Sequence, residues 1–347
     1  MRLCVDVMGG DHAPDAIIKG CIQALDTLEA GDRLVLVGDQ GVIRDYFRVQ
    51  GVPMDRIEIV HTTEVIGMDE SPVDSVRAKK DSSIVVSALM GSHKRDGTGD
   101  RCDAVISAGN TGACVSAATM HMRRLPGVHR PGIAVTIPTF HGPVVLSDAG
   151  ANPEPRPQHL WQYGLMAECV ANRIHRKDRP RVAVMNIGAE EGKGTDLIQE
   201  TAALCKRTPG LNYIGYVGGR DIFEGVADVI ITDGLVGNTL LKMAEGMAKS
   251  LINGIVTEIM TADPDLMLQL EPIFKHMFKK NDYHEHGGAP LLGVNGLYMI
   301  AHGSSEARSI RSALVQTRTF VKSGLNEAIV ARLAAVEAAM GPVEVPA

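Results

Sequence analysis

Residues 104–120, AVISAGNTGACVSAATM, pass from an apolar run through a glycine-rich turn into a helical pattern. The run Ala104–Ile106 is continuously apolar, which is typical of a strand buried on both faces of a sheet. The stretch Thr111–Arg123 has the residue spacing of a helix. A buried strand that turns directly into a helix is the repeating unit of a parallel α/β sheet.

The same unit recurs along most of the chain. The other apolar runs are Leu3–Val7, Leu34–Val37, Ile57–Val60, Ile133–Ile137, Val144–Leu146, Val182–Met185, Tyr213–Val217 and Val229–Ile231. Helical patterns lie between most of them, at Pro14–Leu28, Val73–Met90 and Gln158–Arg173 among others. We therefore predict an α/β fold, a three-layer sandwich whose mostly parallel sheet has helices on both faces. The segment Thr139–Pro143 is short enough to close a hairpin, which would make the sheet mixed.

After Gly237 the pattern changes to long helices. Apolar residues from Leu240 to Ile259 recur every three or four positions in two rows, which suits a helix packed on two sides or at a subunit interface. The segment Asp265–Lys280 is amphipathic and basic at its end, and Pro272 predicts that it splits into two short helices. Its apolar face suits a membrane surface or an acidic partner, and equally the long helix or a second subunit. We expect one catalytic domain over 1–340, with a helical excursion at about 262–286.

The composition is that of an ordinary globular protein with a slight acidic excess. The 347 residues include 35 Lys and Arg against 41 Asp and Glu, a net charge of −6. Nucleic-acid-binding proteins normally present a basic surface, so that class is disfavoured. The six cysteines are scattered without a CxxC pair, which favours reduced thiols over a zinc site or a disulfide framework. The N-terminus has no secretory signal pattern and no apolar stretch is long enough to span a bilayer, so we expect a cytoplasmic protein.

Glycine and small polar residues gather in six loops. In an open parallel sheet, ligands bind outside the carboxyl ends of the strands, so we expect these loops to share one edge. They lie at Asp6–Pro14, Ser107–Ala113, Asp148–Asn152, Asn186–Thr195, Asp233–Thr239 and Gly287–Gly296. Glycine lets backbone N–H groups approach a ligand and a helix start leaves them unpaired, so together they form an anion site. Any single loop could instead only close a turn and cap a helix.

The anion does not carry the signature of a nucleotide. No GxGxxG follows the first strand and no GxxxxGK[ST] is present, although Glu191–Thr195 contains Gly-Lys-Gly-Thr. Inorganic phosphate or a phosphate ester fits the loops better. A Gly-x-Ser-x-Gly pattern is also missing, which disfavours an acyl-serine intermediate.

Three cations and one histidine are candidates for this site. Lys193 lies inside the fourth loop, and Arg77 and Lys80 are three residues apart on a predicted helix and so share a face. A solvated helix face is the alternative for that pair, and for Lys79 it is the favoured interpretation. His12, at the tip of the first loop, suits a general acid or a phosphate ligand, or equally a helix cap.

Two patterns raise the question of a metal. His284 and His286 flank one glutamate, but no third ligand lies at useful spacing, so solvated histidines are the better interpretation. Asp148 and Asp233 could bind a metal or shape their turns. We predict no metal and no cofactor.

Seven short motifs in a fixed order resemble the bacterial phosphate acyltransferases of phospholipid synthesis, the PlsX family. They are DVMGGDHAP at 6–14, IVHTTEVI at 59–66, KKDSS at 79–83, SAGNTGA at 107–113, DAGAN at 148–152, GNTLLK at 237–242 and GGAPLLG at 287–293. The resemblance covers almost the whole chain, from Val5 to about Phe320. Two departures are the proline-rich run at 153–157 and His286, where the family usually has tyrosine.

The resemblance implies a fold like isopropylmalate dehydrogenase and phosphotransacetylase, a homodimer, and loose association with the membrane. It implies transfer of a long-chain fatty acyl group from acyl carrier protein to inorganic phosphate. The acyl phosphate would then pass to a membrane-bound acyl phosphate:glycerol-phosphate acyltransferase. No nucleic acid is expected as a partner.

For that reaction we assign phosphate binding to Asn110, Thr111, Asn238 and Lys193, with Arg77 and Lys80 as further candidates. Lys193 and His12 form the catalytic assignment, and His12 either orients phosphate or protonates the leaving thiolate. Residues expected to shape the substrate loops are Asp6, Gly9, Gly10, Asp11, Asp148, Asn152, Asp233 and Gly288.

Three alternatives stay open at this point. A phosphotransacetylase that uses acyl-coenzyme A would share the fold and the chemistry and differ in the acyl donor. A dehydrogenase of the same fold would need a nicotinamide site. A non-catalytic phosphate- or lipid-binding module would show no turnover.

Overall fold

A computed structural model describes residues 1–281, 287–341 and 343 of the chain, so His284 and His286 lie outside the described residues. Within those residues eleven strands form one sheet. The strands are β1 Arg2–Asp6, β2 Arg33–Gly38, β3 Ile57–His61, β4 Ala104–Ser107, β5 Gly132–Ile137, β6 Val144–Ser147, β7 Val182–Met185, β8 Tyr213–Val217, β9 Val229–Ile231, β10 Ala289–Leu292 and β11 Leu297–Ile300.

Helices cover both faces of this sheet. In the described part of the chain the α-helices are α1 Asp15–Ala24, α2 Gln40–Gln50, α3 Pro72–Ala78, α4 Ser83–Met90, α5 Thr111–Ala117, α6 Pro157–Arg173, α7 Asp196–Arg207, α8 Gly234–Ala262, α9 Pro264–Asn281, α10 Ala307–Lys322 and α11 Leu325–Met340. α5 continues directly into a π-helical turn at Ala118–Met122. The predicted three-layer α/β architecture is confirmed.

The sheet is mixed, and two blocks of strands point in opposite directions. Its order is β3-β2-β1-β4-β11-β10-β5-β6-β9-β7-β8. The first five strands of that order are mutually parallel, and so are the last four. Between the blocks, β11–β10, β10–β5 and β5–β6 are three successive antiparallel pairs, which reverse the strand direction. We call the edge at the carboxyl ends of β1, β4 and β11 the upper edge, and the edge at the carboxyl ends of β6, β9 and β7 the lower edge.

This reversal overturns one expectation from the sequence. The loops after β1, β4 and β11 lie at the upper edge, whereas those after β6, β7 and β9 lie at the lower edge. The expectation that the glycine-rich loops share one edge is therefore wrong. The sixth predicted loop, Gly287–Gly296, contains β10, because Pro290 and the surrounding glycines disguise a strand in the middle of the sheet. The predicted hairpin of β5 and β6 is confirmed.

Two helix predictions are also wrong. The stretch Val73–Met90 is not one helix, because residues 79–82 separate α3 from α4, whose start is capped by the Ser82 hydroxyl. Arg77 and Lys80 therefore do not share a helix face. Pro272 does not split the later segment, since α9 runs through it. A proline removes one N–H donor, which kinks a helix without always ending it.

The two faces of the sheet are packed differently. On one face a single core runs across the whole sheet beneath α1, α2, α6, α7, α10 and α11. On the other face there are two separate cores, one beneath α4 and α5 and one that includes Met185, Ile222 and Leu240. Between them Val135 of β5 and Ala289 of β10 are half-buried. The central strands are therefore less covered than the rest of this face, and we call the space above them, between α5 and α8, the cleft.

α8 is a long helix that crosses this face from the lower edge to the upper edge. It begins after β9, and eight residues later Lys242 contacts His302, which follows β11. Farther along, a row of apolar side chains lies exposed at four-residue spacing: Met243, Met247, Leu251 and Ile255. α9 follows after Asp263 and contacts α8.

Candidate active site

Three loops meet at the upper edge, after β1, β4 and β11. A Cβ added to Gly9 would lie 2.8 Å from the backbone nitrogen of Gly109, so the first two loops touch through their backbones. The N–H of Asp11 donates to the carbonyl of Gly303 at 2.8 Å and joins the first loop to the third. Gly10 lies between them at φ 114°, a conformation that favours glycine.

Asp6 links the first two loops through hydrogen bonds to its buried carboxylate. Its carboxylate accepts hydrogen bonds from the Ser107 hydroxyl at 2.6 Å and from the Met8 N–H at 3.1 Å. Asp6 is fully buried, and this burial raises its pKa, although the hydrogen bonds act in the opposite direction. Because its oxygens are occupied inside the protein, Asp6 acts as a positioning residue for the loops.

Asn110 joins the start of α5 to a neighbouring segment. Its Oδ1 accepts the N–H of Ala113 at 3.0 Å, which caps the helix. Its Nδ2 lies within hydrogen-bond distance of three carbonyls, those of Gly67 at 3.4 Å, Met68 at 3.0 Å and Glu70 at 3.2 Å. The side chain is buried. This geometry favours a structural cap over the phosphate ligand that the sequence suggested.

Replacing Asn110 by alanine should therefore cost stability as well as activity. We expect the free energy of unfolding to fall by about 1–3 kcal/mol, because the substitution removes both the helix cap and the buried hydrogen bonds of the Asn110 amide nitrogen. Denaturant unfolding followed alongside turnover measures both effects. Lost turnover with unchanged stability would restore Asn110 as a direct phosphate ligand.

The other candidates at the upper edge lie around the start of α5. Thr111 is the first residue of α5 and is half-buried. α3 packs closely here, since a Cβ on Gly112 would lie 2.6 Å from a ring carbon of Pro72. Arg77 at the end of α3 and His12 in the first loop are exposed. His12 lies at the upper edge, in the loop after β1.

The Lys79 side chain has partners within the protein, whereas Lys80 is exposed. Lys79 donates to the Glu70 carboxylate at 2.5 Å and to the Val65 carbonyl at 2.7 Å. The expectation that Lys79 is a solvated side chain is therefore wrong. The lysine also lowers the pKa of Glu70 to about 2. Lys80, in the turn that follows, is exposed.

At the lower edge, two aspartates shape backbone turns. The Asp148 carboxylate accepts the N–H groups of Ile133 at 2.8 Å, Asn152 at 2.6 Å and Ala151 at 3.2 Å. Asp233 caps α8 by accepting the N–H of Val236 at 2.8 Å. The interpretation of both residues as turn formers is confirmed.

The first turns of α8 pack directly on the turn at 148–152. The N–H of Gly234 donates to the Asn152 carbonyl at 2.8 Å. A Cβ on Gly237 would lie 1.9 Å from the carbonyl oxygen of Asp148. A Cβ on Gly150 would lie 3.7 Å from the Cβ of Asn238, an exposed residue of α8. Asn238 therefore borders the lower part of the cleft.

Small residues form the floor of the cleft. Gly288 and Ala289 at the start of β10 are half-buried, and Ala151 and Val135 are half-buried beside them. Their small volume leaves room above the sheet for a substrate between α5 and α8.

Lys242 and His302 form a basic contact that the sequence did not single out as a site. The Lys242 ammonium lies against Nε2 of His302 and 3.1 Å from Oε2 of Glu245. The other ring nitrogen of His302 lies 2.7 Å from the hydroxyl of Ser304. Lys242 is four residues after Asn238, so both share one face of α8. That spacing within GNTLLK is the signal that could have identified Lys242.

Within one chain, Lys193 lies far from Lys242 and from the start of α5. Its loop follows β7 at the lower edge, and β7 is six strand positions from β4. At about 4.8 Å per strand the lateral separation alone is roughly 29 Å. Its ammonium pairs with Glu190 at 2.6 Å. The structure thus does not bring Lys193 together with Thr111 or Lys242.

Comparison with known proteins adds the family to this geometry. A family described as "Fatty acid synthesis protein" matches residues 1–328. A phosphate acyltransferase of Dictyoglomus turgidum is 41% identical over 332 residues, covering 95% of this chain and 96% of that protein. One of Desulfitobacterium hafniense is 42% identical over 333 residues, covering 95% and 96%. The chain belongs to the phosphate acyltransferase family. It is an acyltransferase of fatty acid synthesis, and its reaction is acyl transfer to phosphate.

Solved structures support the fold of this phosphate acyltransferase. A phosphotransacetylase of Streptococcus pyogenes superposes with a TM-score of 0.62 at 15% identity, covering 93% of this chain and 94% of that chain. The EutD phosphotransacetylase of Staphylococcus aureus gives 0.60 at 13% identity, with 92% and 94% covered. The predicted phosphotransacetylase-like fold is confirmed.

The cleft of this phosphate acyltransferase has the parts that acyl transfer to phosphate requires. Its upper end holds the Lys242 ammonium, the ring of His302 and the N–H groups of the first turn of α5. Its floor of small residues leaves space for an acyl group. The reaction itself demands mainly that the phosphate be held and the developing oxyanion be stabilised.

Proposed function

We propose that the protein transfers a long-chain fatty acyl group from acyl carrier protein to inorganic phosphate, giving acyl phosphate for phospholipid synthesis. The observation that carries the proposal is the cleft between α5 and α8, whose upper end joins Lys242, His302 and the start of α5 in a member of this family. A membrane-bound acyltransferase that uses glycerol phosphate would consume the product.

In this proposal the phosphate binds at the upper end of the cleft. Lys242 supplies a positive charge, which His302 positions by accepting a hydrogen bond from the ammonium at Nε2, while the N–H groups at Thr111 and Gly112 point towards the anion. Each charge-assisted hydrogen bond of this kind contributes about 1.5–3 kcal/mol. Asn238, one turn before Lys242 on the same helix face, would contact the thioester or the phosphate from below.

The chemical step then needs no covalent enzyme intermediate. A phosphate oxygen attacks the thioester carbonyl carbon, and the carbonyl oxygen becomes an oxyanion. The C–S bond then breaks as the C–O–P linkage is retained, and the thiolate takes a proton that the phosphate group gives up. We assign the transfer of that proton to His12, which is exposed in the loop after β1. A preorganised N–H donor for the oxyanion is worth about 2.7–4 kcal/mol.

A comparison of acyl donors tests this proposal against the phosphotransacetylase alternative. The enzyme is incubated with phosphate and either palmitoyl-acyl carrier protein or palmitoyl-coenzyme A at matched concentrations. The proposal expects a kcat/KM at least about tenfold higher for the carrier-protein thioester. Equal or better use of the coenzyme A thioester would assign the alternative donor.

We also propose that the enzyme is a homodimer and that α9 rests on a membrane surface. Exposed apolar rows of this length normally mark an interaction site. Met243, Met247 and Leu251 of α8 are 58%, 52% and 60% exposed, and Ile273 of α9 is 55% exposed. No helix among the described residues has the length and apolar character needed to cross a bilayer. Cytoplasmic location stays a prediction.

Two single substitutions to glutamate test the proposed dimer surface and the proposed membrane surface independently. Leu251→Glu should convert the dimer to monomer in sedimentation velocity, because a carboxylate would be buried in the interface. Ile273→Glu should leave the dimer intact and reduce co-sedimentation with anionic phosphatidylglycerol vesicles several-fold. Ser250→Glu adds the same charge to α8 outside the row and is the control. If the Leu251→Glu variant stays dimeric, the exposed apolar row of α8 is not part of the dimer interface.

A further inference from the structure

A group of arginines lines a cavity at the lower edge that the chemical step does not use. Arg123 and Arg124 follow the π-helical turn after α5, and Arg130 lies two residues before β5. They line a cavity of about 740 Å³ together with Thr119, Met120, Leu125, Val128, His129 and Pro131. We refer to this cavity as the arginine pocket.

The arginines of the arginine pocket form no ion pair with a carboxylate among the residues that the structure describes. Arg123 and Arg130 are exposed, and within the described residues their side chains form no ion pair and no hydrogen bond. Arg124 donates to the backbone carbonyl of His129 and so keeps its full charge. Three guanidinium groups gathered around one cavity create a local positive potential in a chain whose net charge is −6.

Two histidines beside the pocket respond to this potential. Burial lowers the pKa of His159 to about 4, and the charges of Arg130, His129, Arg156 and Arg124 act in the same direction. The pKa of His129 is also lowered, by burial and then by Arg124, while Glu337 has a smaller opposite effect. Both histidines are therefore neutral at neutral pH, and the charge of the pocket belongs to the arginines.

The arginine pocket adjoins the lower mouth of the cleft. Thr119 and Met120 line the pocket, and Met120 packs on the same core as Val135 and Ala151 of the cleft floor. The Asn152 side chain donates to the carbonyl of Pro131 at 2.7 Å, which ties the lower turn to the pocket wall. The pocket therefore lies at the lower end of the helical segment whose upper end borders the cleft.

We propose that the arginine pocket is the docking surface for a carboxylate-rich face of the carrier protein that delivers the acyl thioester. The inference rests on the proposed function, which makes a carrier protein the acyl donor. Guanidinium groups bind carboxylates in a paired geometry, and arginine is favoured where protein surfaces meet. Most of the surface of an acidic chain repels an acidic partner. The arginine pocket would therefore determine where such a partner binds.

The distance along α5 agrees with this arrangement. The seven residues of α5 and the five of the π-helical turn separate the upper end of the cleft from the pocket. At about 1.5 Å per residue they span on the order of 18 Å. A carrier protein docked at the pocket would extend its flexible thioester arm along this path, and its carbonyl would meet the phosphate beside Lys242.

Charge reversal at the two arginines without side-chain contacts tests the inference. The variant Arg123→Glu/Arg130→Glu is compared with Arg44→Glu/Arg220→Glu, two exposed arginines elsewhere on the surface that likewise lack side-chain contacts in the described part of the chain. We expect KM for palmitoyl-acyl carrier protein to rise at least about tenfold in the first variant and less than about twofold in the second. Arg123→Lys/Arg130→Lys should keep most of the affinity, because the charge is retained.

Three further measurements decide among the outcomes. KM for phosphate should stay within about twofold, and binding of unacylated carrier protein should weaken as KM rises. A large rise in KM for phosphate would make the pocket a phosphate site and overturn the docking assignment. An unchanged KM for the carrier protein in a folded variant, judged by thermal unfolding, would also overturn it. If the wild-type enzyme does not use the carrier-protein thioester at all, the proposed function itself fails.

Discussion

Lys242→Met should lower kcat/KM for phosphate by about 100-fold while leaving the fold intact. The substitution keeps the length of the side chain and removes its charge, so the phosphate loses its cationic partner at the upper end of the cleft. One charge-assisted hydrogen bond in this setting is worth about 2–3 kcal/mol, which corresponds to that factor. The ion pair of Lys242 with Glu245 is partly exposed, at 42% and 17% of the two side chains, so its loss should change stability by about 1 kcal/mol or less. Initial rates across a phosphate series give the value.

Lys249→Met is the matched control for this prediction. Lys249 is exposed on the same helix, two turns beyond Lys242 and away from His302. Its replacement removes the same charge from α8 and should leave phosphate saturation within about twofold. Normal phosphate kinetics in Lys242→Met would show that the anion binds elsewhere.

Gly237→Ala should destabilise the protein by about 3 kcal/mol and abolish most activity, although alanine normally favours a helix. The reason is that α8 lies directly on the turn at 148–152. A Cβ at Gly237 would lie 1.9 Å from the Asp148 carbonyl oxygen and 2.9 Å from Cγ2 of Thr232. Both neighbours are buried residues that directly follow β6 and β9, so α8 has to move, and overpacking of this kind costs about 1–3 kcal/mol or more. Because α8 carries Asn238 and Lys242, the displacement also disturbs the cleft.

The same helix provides the control. Gly246 and Gly254 have nothing within 4 Å of an added Cβ. Gly246→Ala and Gly254→Ala should each stabilise the protein by about 0.5–1 kcal/mol through helix propensity alone. Thermal and urea unfolding of the three variants test the contrast. A Gly237→Ala variant as stable as the two controls would mean that α8 does not pack on the lower turn in this way.

Much of the fold could be predicted from the sequence because strand and helix patterns are local. The continuously apolar runs, such as Ala104–Ile106 and Val182–Met185, are strands in the structure. The hairpin of β5 and β6 follows from the short connection between two apolar runs. What the local pattern does not contain is strand direction across the sheet. That direction depends on β10, whose Gly-Gly-Ala-Pro start resembles a loop and whose partners are distant in sequence.

The candidate site was harder to predict for the same reason. Asn110 and Thr111 were chosen from a motif, but whether a side chain caps its own helix or faces a ligand depends on neighbours such as Gly67 and Glu70. Lys193 was placed in the site because its loop was expected at the same edge. Lys242 and His302 are 60 residues apart, so only the fold shows that they touch.

Release of free carrier-protein thiol from palmitoyl-acyl carrier protein, measured against phosphate concentration, tests the central claim most directly. Hydroxylamine in a parallel reaction traps any acyl phosphate as the hydroxamate. The account predicts that thiol release saturates with phosphate, that hydroxamate forms in equal amount, and that Lys242→Met shifts the saturation to much higher phosphate. Thiol release that does not depend on phosphate, or that proceeds without hydroxamate, would contradict it.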